Sequence, residues 1–367
     1  MSGHGRGRRW AVVAALVAVL CALPAVVAAL PADDADVAAA DLRDAVLASG
    51  GVGFSGYAVS AGGLSLPVSD QLPAVADLLS DRVQLRVWWR GEDEHRVDVV
   101  GAAGETGVHT DPAGTWTWEY ESATAERTGP APLTLPAPPD LVPASLGRRL
   151  LSEAGDDELA RIGARRVAGR DALGLRLVPA AAASSVARVD VWADAATGLP
   201  LAVEVLAEGA TMPALDTRFL DLDLAVPPAG VVAFDPPPGA RVRQGADPGG
   251  LLREAADRAL SPGRLPAELA GLPRRTLEGA PEAVGLYGRG VTLLAVAPVP
   301  GRLAAGVRSA LAAAPDAVRD ERGTRIAAGP LGLMLVDAPG AGTFLLTGTV
   351  DLDALADAAA ALTGAPS

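Results

Sequence analysis

The chain has 367 residues, half of them hydrophobic, and carries 44 acidic against 31 basic residues for a formal charge of −13. That length and apolar content suffice for two domains with sizeable cores. The charge argues against a nucleic-acid binder, whose affinity rests on neutralising phosphates, and reads instead as a solubility feature.

Residues 1–9 are short and basic, and residues 10–30 are continuously apolar. This is an n-region followed by an h-region, and the apolar run is about the 20 residues a membrane-spanning helix needs. Pro24 with Val27 and Ala29 also fits a cleavage site. Residues 1–32 are therefore a signal peptide or an anchoring apolar helix, and both readings stay open. The basic flank keeps the N-terminus cytoplasmic and sends the rest out, so the expected location is extracytoplasmic, secreted or anchored. Ala18-Val19-Leu20 before Cys21 does not suit lipidation, because the residue just before such a cysteine should be small.

Residues 33–48 read as a helix ended by Gly50–Gly53, and 54–60 as a strand. Residues 61–80 are a Gly- and Pro-broken connection. Residues 83–127 alternate apolar and polar with period two, broken at Gly91, Gly101–Gly104 and Asp111–Gly114, which predicts an antiparallel meander. The Pro-rich stretch 129–143 reads as a loop covering something, and 144–162 as a helix. Strands follow at 165–178, 186–193, 201–206 and 217–224, with a turn at Asp194–Gly198. Residues 241–264 read as a linker. A smaller α+β domain, 265–367, has strands at 283–296, 325–328, 331–336 and 343–350. Its helices fall at 302–314 and 351–363, with Asp351 as a plausible N-cap.

Aromatic residues make up only 4% of the chain, yet Trp88, Trp89, Trp116, Trp118 and Tyr120 all fall in the meander. Val83, Leu85, Val87 and Trp89 share one face of their strand; Trp116, Trp118 and Tyr120 share one face of a later strand. Leu85, Val87, Trp89, Trp116, Trp118 and Tyr120 are the candidate apolar lining of a ligand site. The alternative is a conventional packed core.

Chemistry-bearing motifs are sparse. A lone cysteine, Cys21, excludes an internal disulfide, and three histidines are too few for a His-rich metal site. No lysine is present, so no Walker P-loop is formed, and no cofactor is indicated. Gly53-Phe54-Ser55-Gly56 lacks the spacing of a nucleophile elbow. Gly285, Gly288 and Gly290 precede a strand and read as a turn. His109 lies two residues from Asp111, but His95 and His109 read as exposed strand or turn positions. Ser55 and His109 are the only hydrolase candidates, and the expectation is a protein that is not an enzyme.

The order of elements resembles the LolA/RseB-like family of lipoprotein carriers, lipid binders and sigma-E regulators. The residues that carry the resemblance are Phe54-Ser55-Gly56-Tyr57, Arg86-Val87-Trp88-Trp89, Asp111 to Trp118, Val167 to Leu173, Val191 to Asp194 with Thr197 to Leu201, and Phe234 to Gly239. The second domain points to the two-domain RseB branch. The resemblance implies an α+β fold: a curved, unclosed antiparallel half-barrel over 33–240, covered by helices, plus the smaller domain. It also implies a lipid or lipoprotein acyl chain as ligand and an anti-sigma factor or other membrane protein as partner. A carrier without a signalling role is the alternative.

Overall fold

The computed structural model describes residues 32–63, 78–79, 82–101, 104–129, 136–245, 250, 265–277, 281–338 and 342–364. The N-terminal apolar segment and nearly all of 246–264 lie outside the described residues, as do 130–135 of the Pro-rich loop.

Helix α1, Ala39–Ala48, buries Leu42 and Val46, one turn apart on a single face. Strand β1, Phe54–Gly62, follows. The meander then runs β2 Arg82–Gly91, β3 Glu94–Gly101, β4 Gly104–Asp111, β5 Gly114–Glu119 and β6 Thr124–Thr128. Its breaks fall at the predicted glycines. In the β4–β5 turn the Asp111 carboxylate accepts the Ala113 N–H at 2.7 Å, the local bond that makes Asp a turn former.

Helix α2, Pro143–Leu151, starts on a proline at its first position. Strands β7 Leu159–Val167, β8 Arg170–Leu177, β9 Val186–Asp194, β10 Pro200–Ala207 and β11 Leu215–Asp223 come next. A short helix α3, Ala229–Val232, leads to β12, Arg241–Gln244. These strands form one 12-stranded sheet in the order β12-β6-β5-β4-β3-β2-β1-β11-β10-β9-β8-β7, open at its ends.

Three expectations for the strands and helices of this first body needed correction, and in the second the single strand expected over 283–296 is a hairpin, Gly285–Arg289 with Thr292–Pro298, so Gly285 and Gly288 lie in a strand rather than a turn. The helix predicted over 144–162 stops at Leu151, and Leu159–Val167 is a strand. The single strand predicted over 165–178 is a hairpin, because Ala168 and Gly169 both take positive φ and reverse the chain. Residues 241–244, read as the start of a linker, pair with β6 in parallel. The sheet is therefore mixed rather than purely antiparallel. The chain leaves β11 and crosses one face of the sheet to reach β6, and a crossover, unlike a hairpin, delivers a parallel strand.

Helices α1 and α2 cover the other face, and the first core lies between them and the sheet. Its fully buried members include Phe54, Leu85, Leu151, Leu175, Val191 and Leu201. Helix α2 sits so close to the sheet that a Cβ on Gly147 would meet Pro200 Cβ at 2.7 Å. Only glycine permits that approach.

The second body is an antiparallel 8-stranded sheet, β13-β14-β15-β16-β20-β19-β18-β17. Its strands are β13 Glu268–Leu269, β14 Leu272–Arg275, β15 Gly285–Arg289, β16 Thr292–Pro298, β17 Val318–Asp320, β18 Gly323–Ala328, β19 Leu331–Ala338 and β20 Gly342–Gly348. Helices α4, Gly301–Ala313, and α5, Leu352–Thr363, pack on it. Asp351 caps α5 by accepting the Ala354 N–H at 2.7 Å, as the sequence predicted. Leu355 from this helix is fully buried with Tyr287, Leu294 and Leu346 in a second core.

The β8–β9 loop stitches the two bodies together. The Asp351 N–H donates to Ala183 O at 2.9 Å, and the Ser185 N–H to Thr349 O at 3.2 Å. Just beyond α2, the Glu153 carboxylate accepts both guanidinium nitrogens of Arg275, at 2.6 and 2.8 Å, and the Gly290 N–H at 2.6 Å.

Candidate functional site

Antiparallel register places every side chain of the meander on one of two faces. Trp89 lies opposite His95, His95 opposite Thr110, and Thr110 opposite Thr115. Partners directly across an antiparallel pair share a face. Leu85, Val87 and Trp89 therefore belong to the helix-covered face. Trp116 lies opposite His109, and His109 opposite Arg96, which faces Trp88. Trp116, Trp118 and Tyr120 thus belong to the face that the chain crosses after β11. The six residues expected to form one lining are split between the two sides of the sheet.

On the crossed face the residues after β11 act as a strap. The Phe234 ring lies 4.7 Å from His109, 5.8 Å from Trp116 and 5.9 Å from Trp118. His109 Nδ1 sits 2.9 Å from Val232 O, and Arg90 donates to Pro227 O at 2.5 Å. Under the strap, Arg96 donates two hydrogen bonds to the fully buried Asp98, at 2.8 and 2.6 Å. It also donates to the Tyr120 hydroxyl at 3.1 Å and lies 4.9 Å from the centre of the Trp88 ring. The aromatic set here packs against its own chain; Tyr120 remains 41% exposed.

On the helix-covered face Leu85 and Val87 are sealed in the core. Trp89 stacks on Phe54 with centroids 5.9 Å apart and on His95 at 4.1 Å. Its outer side borders an open cleft of about 550 Å³ between the sheet, the end of α1, the 3₁₀ turn at 138–141 and α2. Leu47, Trp89, Val108, Ala137 and Pro139 supply apolar lining; Glu92, Asp140, Ser145, Arg148 and Arg149 supply polar lining. The described end of the Pro-rich stretch therefore does cover something: it forms one wall of this cleft.

Both meander histidines are buried, contrary to the exposed positions expected for them. They lie on opposite faces of the sheet, His95 against Trp89 and His109 under Phe234 and Val232 of the strap. Burial holds both imidazoles below their ordinary pKa, and hydrogen bonds from the rings to backbone carbonyls oppose that only partly. Asp111 is exposed and bonds its own turn, and no described hydrogen bond joins Ser55 or Asp111 to His109. Among the described residues no group of three His, Cys, Asp or Glu side chains is placed to hold a metal ion.

Arg148 is the cleft residue that sequence reasoning missed. It is only 6% exposed, its Nε donates to Glu92 at 3.2 Å, and its guanidinium carbon lies 5.8 Å from the Trp89 ring centre. Burial lowers its pKa, opposed by the Glu92 carboxylate. A signal was present: Arg148 is four residues after Ala144 and three before Leu151, on the buried stripe of α2.

Comparison with known proteins finds no matching family model and no curated protein above threshold. Solved structures do match. A complex of Pseudomonas aeruginosa MucA and MucB contains a chain similar over 88% of this one and 96% of its own length, at 18% identity and TM-score 0.48. A separate MucB crystal structure covers 88% and 96%, at 16% identity and TM-score 0.45. A LolA-superfamily protein from Nitrosomonas europaea covers 54% of this chain and 98% of its own, at 11% identity and TM-score 0.26. The chain is thus similar to MucB over most of its length and to LolA-superfamily proteins over about half.

Proposed function

We propose that the protein is a non-enzymatic, extracytoplasmic lipid- or lipoprotein-binding sensor that couples ligand binding to a membrane-anchored partner such as an anti-sigma factor. The observation that carries this reading is the placement of one segment between two sites. Arg148, Arg149 and Ser152, at the end of α2, line the cleft, and the next residue, Glu153, grips Arg275 and Gly290 of the second body. A ligand that shifts α2 moves Glu153 with it. Differential affinity for two domain arrangements then becomes differential affinity for the partner.

The lipid assignment draws on the size of the cleft, which lies within the range of small-molecule sites, on its partly apolar wall, and on the family resemblance. The partner draws on the resemblance and on the presence of a second body. Native purification of the full chain followed by mass spectrometry of the organic extract tests the first part. Co-purifying lipid is expected; protein that carries none, and takes up no fluorescent fatty acid, ends the reading. Hydrogen exchange tests the coupling: added lipid should change protection at 285–292. A change confined to the cleft would leave a carrier without signalling.

A further inference from the structure

We infer that the cleft beside Trp89 holds the anionic head group of a single-chain amphiphile, a carboxylate or a phosphate monoester, with Arg148 as the recognising cation. This rests on the lipid-binding reading above and names the ligand class for the same cleft. Two side chains that line the cleft carry under-used donors. Arg148 is 6% exposed, yet among the described residues its buried Nη1 has no hydrogen-bond partner. The indole Nε1 of Trp89 is likewise buried and unpartnered among the described residues. A buried donor left unmade costs about 1–3 kcal/mol, and more when it is charged.

The acceptors nearby do not meet that need. Asp140 is committed to the Ala137 N–H at 2.8 Å and to Arg149. Glu92 reaches only Nε of Arg148, at 3.2 Å, and its side chain is 66% exposed, so it is free to withdraw into solvent. An incoming oxyanion finds a desolvated guanidinium, whose hydrogen bonds to oxyanions are among the stronger ones. Leu47, Val108, Ala137 and Pro139 line the same cleft and offer an apolar path for a short chain.

The test uses the full chain in phosphatidylcholine nanodiscs and four probes: decanoate, decyl phosphate, decanol and inorganic phosphate. Binding is followed by equilibrium dialysis, with protein-free nanodiscs subtracted. Decanoate or decyl phosphate should bind about tenfold more tightly than decanol. Whichever of the two is tighter identifies the natural head-group chemistry. Arg148→Met should remove the preference for the two anions over decanol. Because Arg148→Met also disturbs packing on Trp89, Glu92→Gln at the exposed rim is the companion variant. It should strengthen decanoate binding severalfold relative to decanol. Equal binding of all three amphiphiles overturns the anion site and leaves the lipid reading standing. Saturable binding of none of them overturns both. Inorganic phosphate bound as tightly as decyl phosphate overturns the head-group assignment, as does a Glu92→Gln variant with unchanged preference.

Discussion

The two faces of the meander are built from the same five strands and end up with opposite characters. The crossed face is closed by its own chain: Phe234 covers His109, Trp116 and Trp118, and backbone carbonyls of the strap take hydrogen bonds from Arg90 and His109. The helix-covered face is sealed at Leu85 and Val87 but opens at Trp89, where α2 and the 138–141 turn leave a cleft. Aromatic content does not separate the two faces. What separates them is whether the chain supplies its own cover. A Trp-rich strand marks a binding surface only where the rest of the chain leaves the ring something to face.

The largest expected effect is at Trp89. It is 2% exposed, stacks on Phe54 and His95, and holds the floor of the cleft. Trp89→Ala should cost about 3–5 kcal/mol, read as a drop in melting temperature, and should also abolish any lipid uptake. Phe234→Ala on the other face should cost less, about 2 kcal/mol, because that ring is only half-buried. It should leave lipid uptake unchanged. If Phe234→Ala abolishes uptake and Trp89→Ala does not, the assignment of the two faces is reversed.

Much of the fold was legible in the sequence. Period-two alternation and the glycine-bearing breaks gave the meander, and Asp351 marked the last helix. The pooling of Trp89 with Trp116 and Trp118 was not safe, for a physical reason. Alternation assigns faces within one strand, but relating the faces of two strands needs their register, and a slip of one residue inverts the answer. Trp88 and Trp89 are adjacent, so one of them had to join Trp116 and the other to oppose it. The actual partner of Trp116 is His109, which aligns it with Trp88. The strap was equally hidden. Phe234 was recognised only as part of a Pro-rich signature, and nothing local says that its ring crosses back over strands more than a hundred residues earlier. The interdomain grip was invisible for the same reason, since Glu153 meets Arg275 and Gly290 only after both bodies have formed.

Each face also carries one buried histidine, His95 beside the cleft and His109 beneath the strap. Burial lowers the pKa of both imidazoles, so the folded protein takes up these protons less readily than the unfolded chain does. The stability each contributes is fully present above the unfolded imidazole value of about 6.5 and falls as the pH drops below it. Thermal melts between about pH 7 and pH 5 should show this decline, and a His95→Gln, His109→Gln double variant should flatten it. An unchanged slope in the double variant would place the acid sensitivity elsewhere.

The smallest effect on global stability separates the two faces most cleanly. Helix α2 lies on the cleft side alone, and it alone runs on into Glu153. The Arg275 guanidinium, with the Gly290 N–H, holds the Glu153 carboxylate below its usual range, and both side chains of the ion pair are 36% exposed. Partly exposed pairs contribute at most about 1 kcal/mol. Glu153→Ala should therefore barely move the melting temperature, yet the Gly290 amide loses its acceptor and should exchange faster. Phe234→Ala destabilises more and has no route to that amide, so Gly290 exchange should stay as it was under native conditions where global unfolding does not dominate. If the two variants accelerate Gly290 equally, the second body responds to overall stability, and α2 is not the link between the cleft and the domain contact.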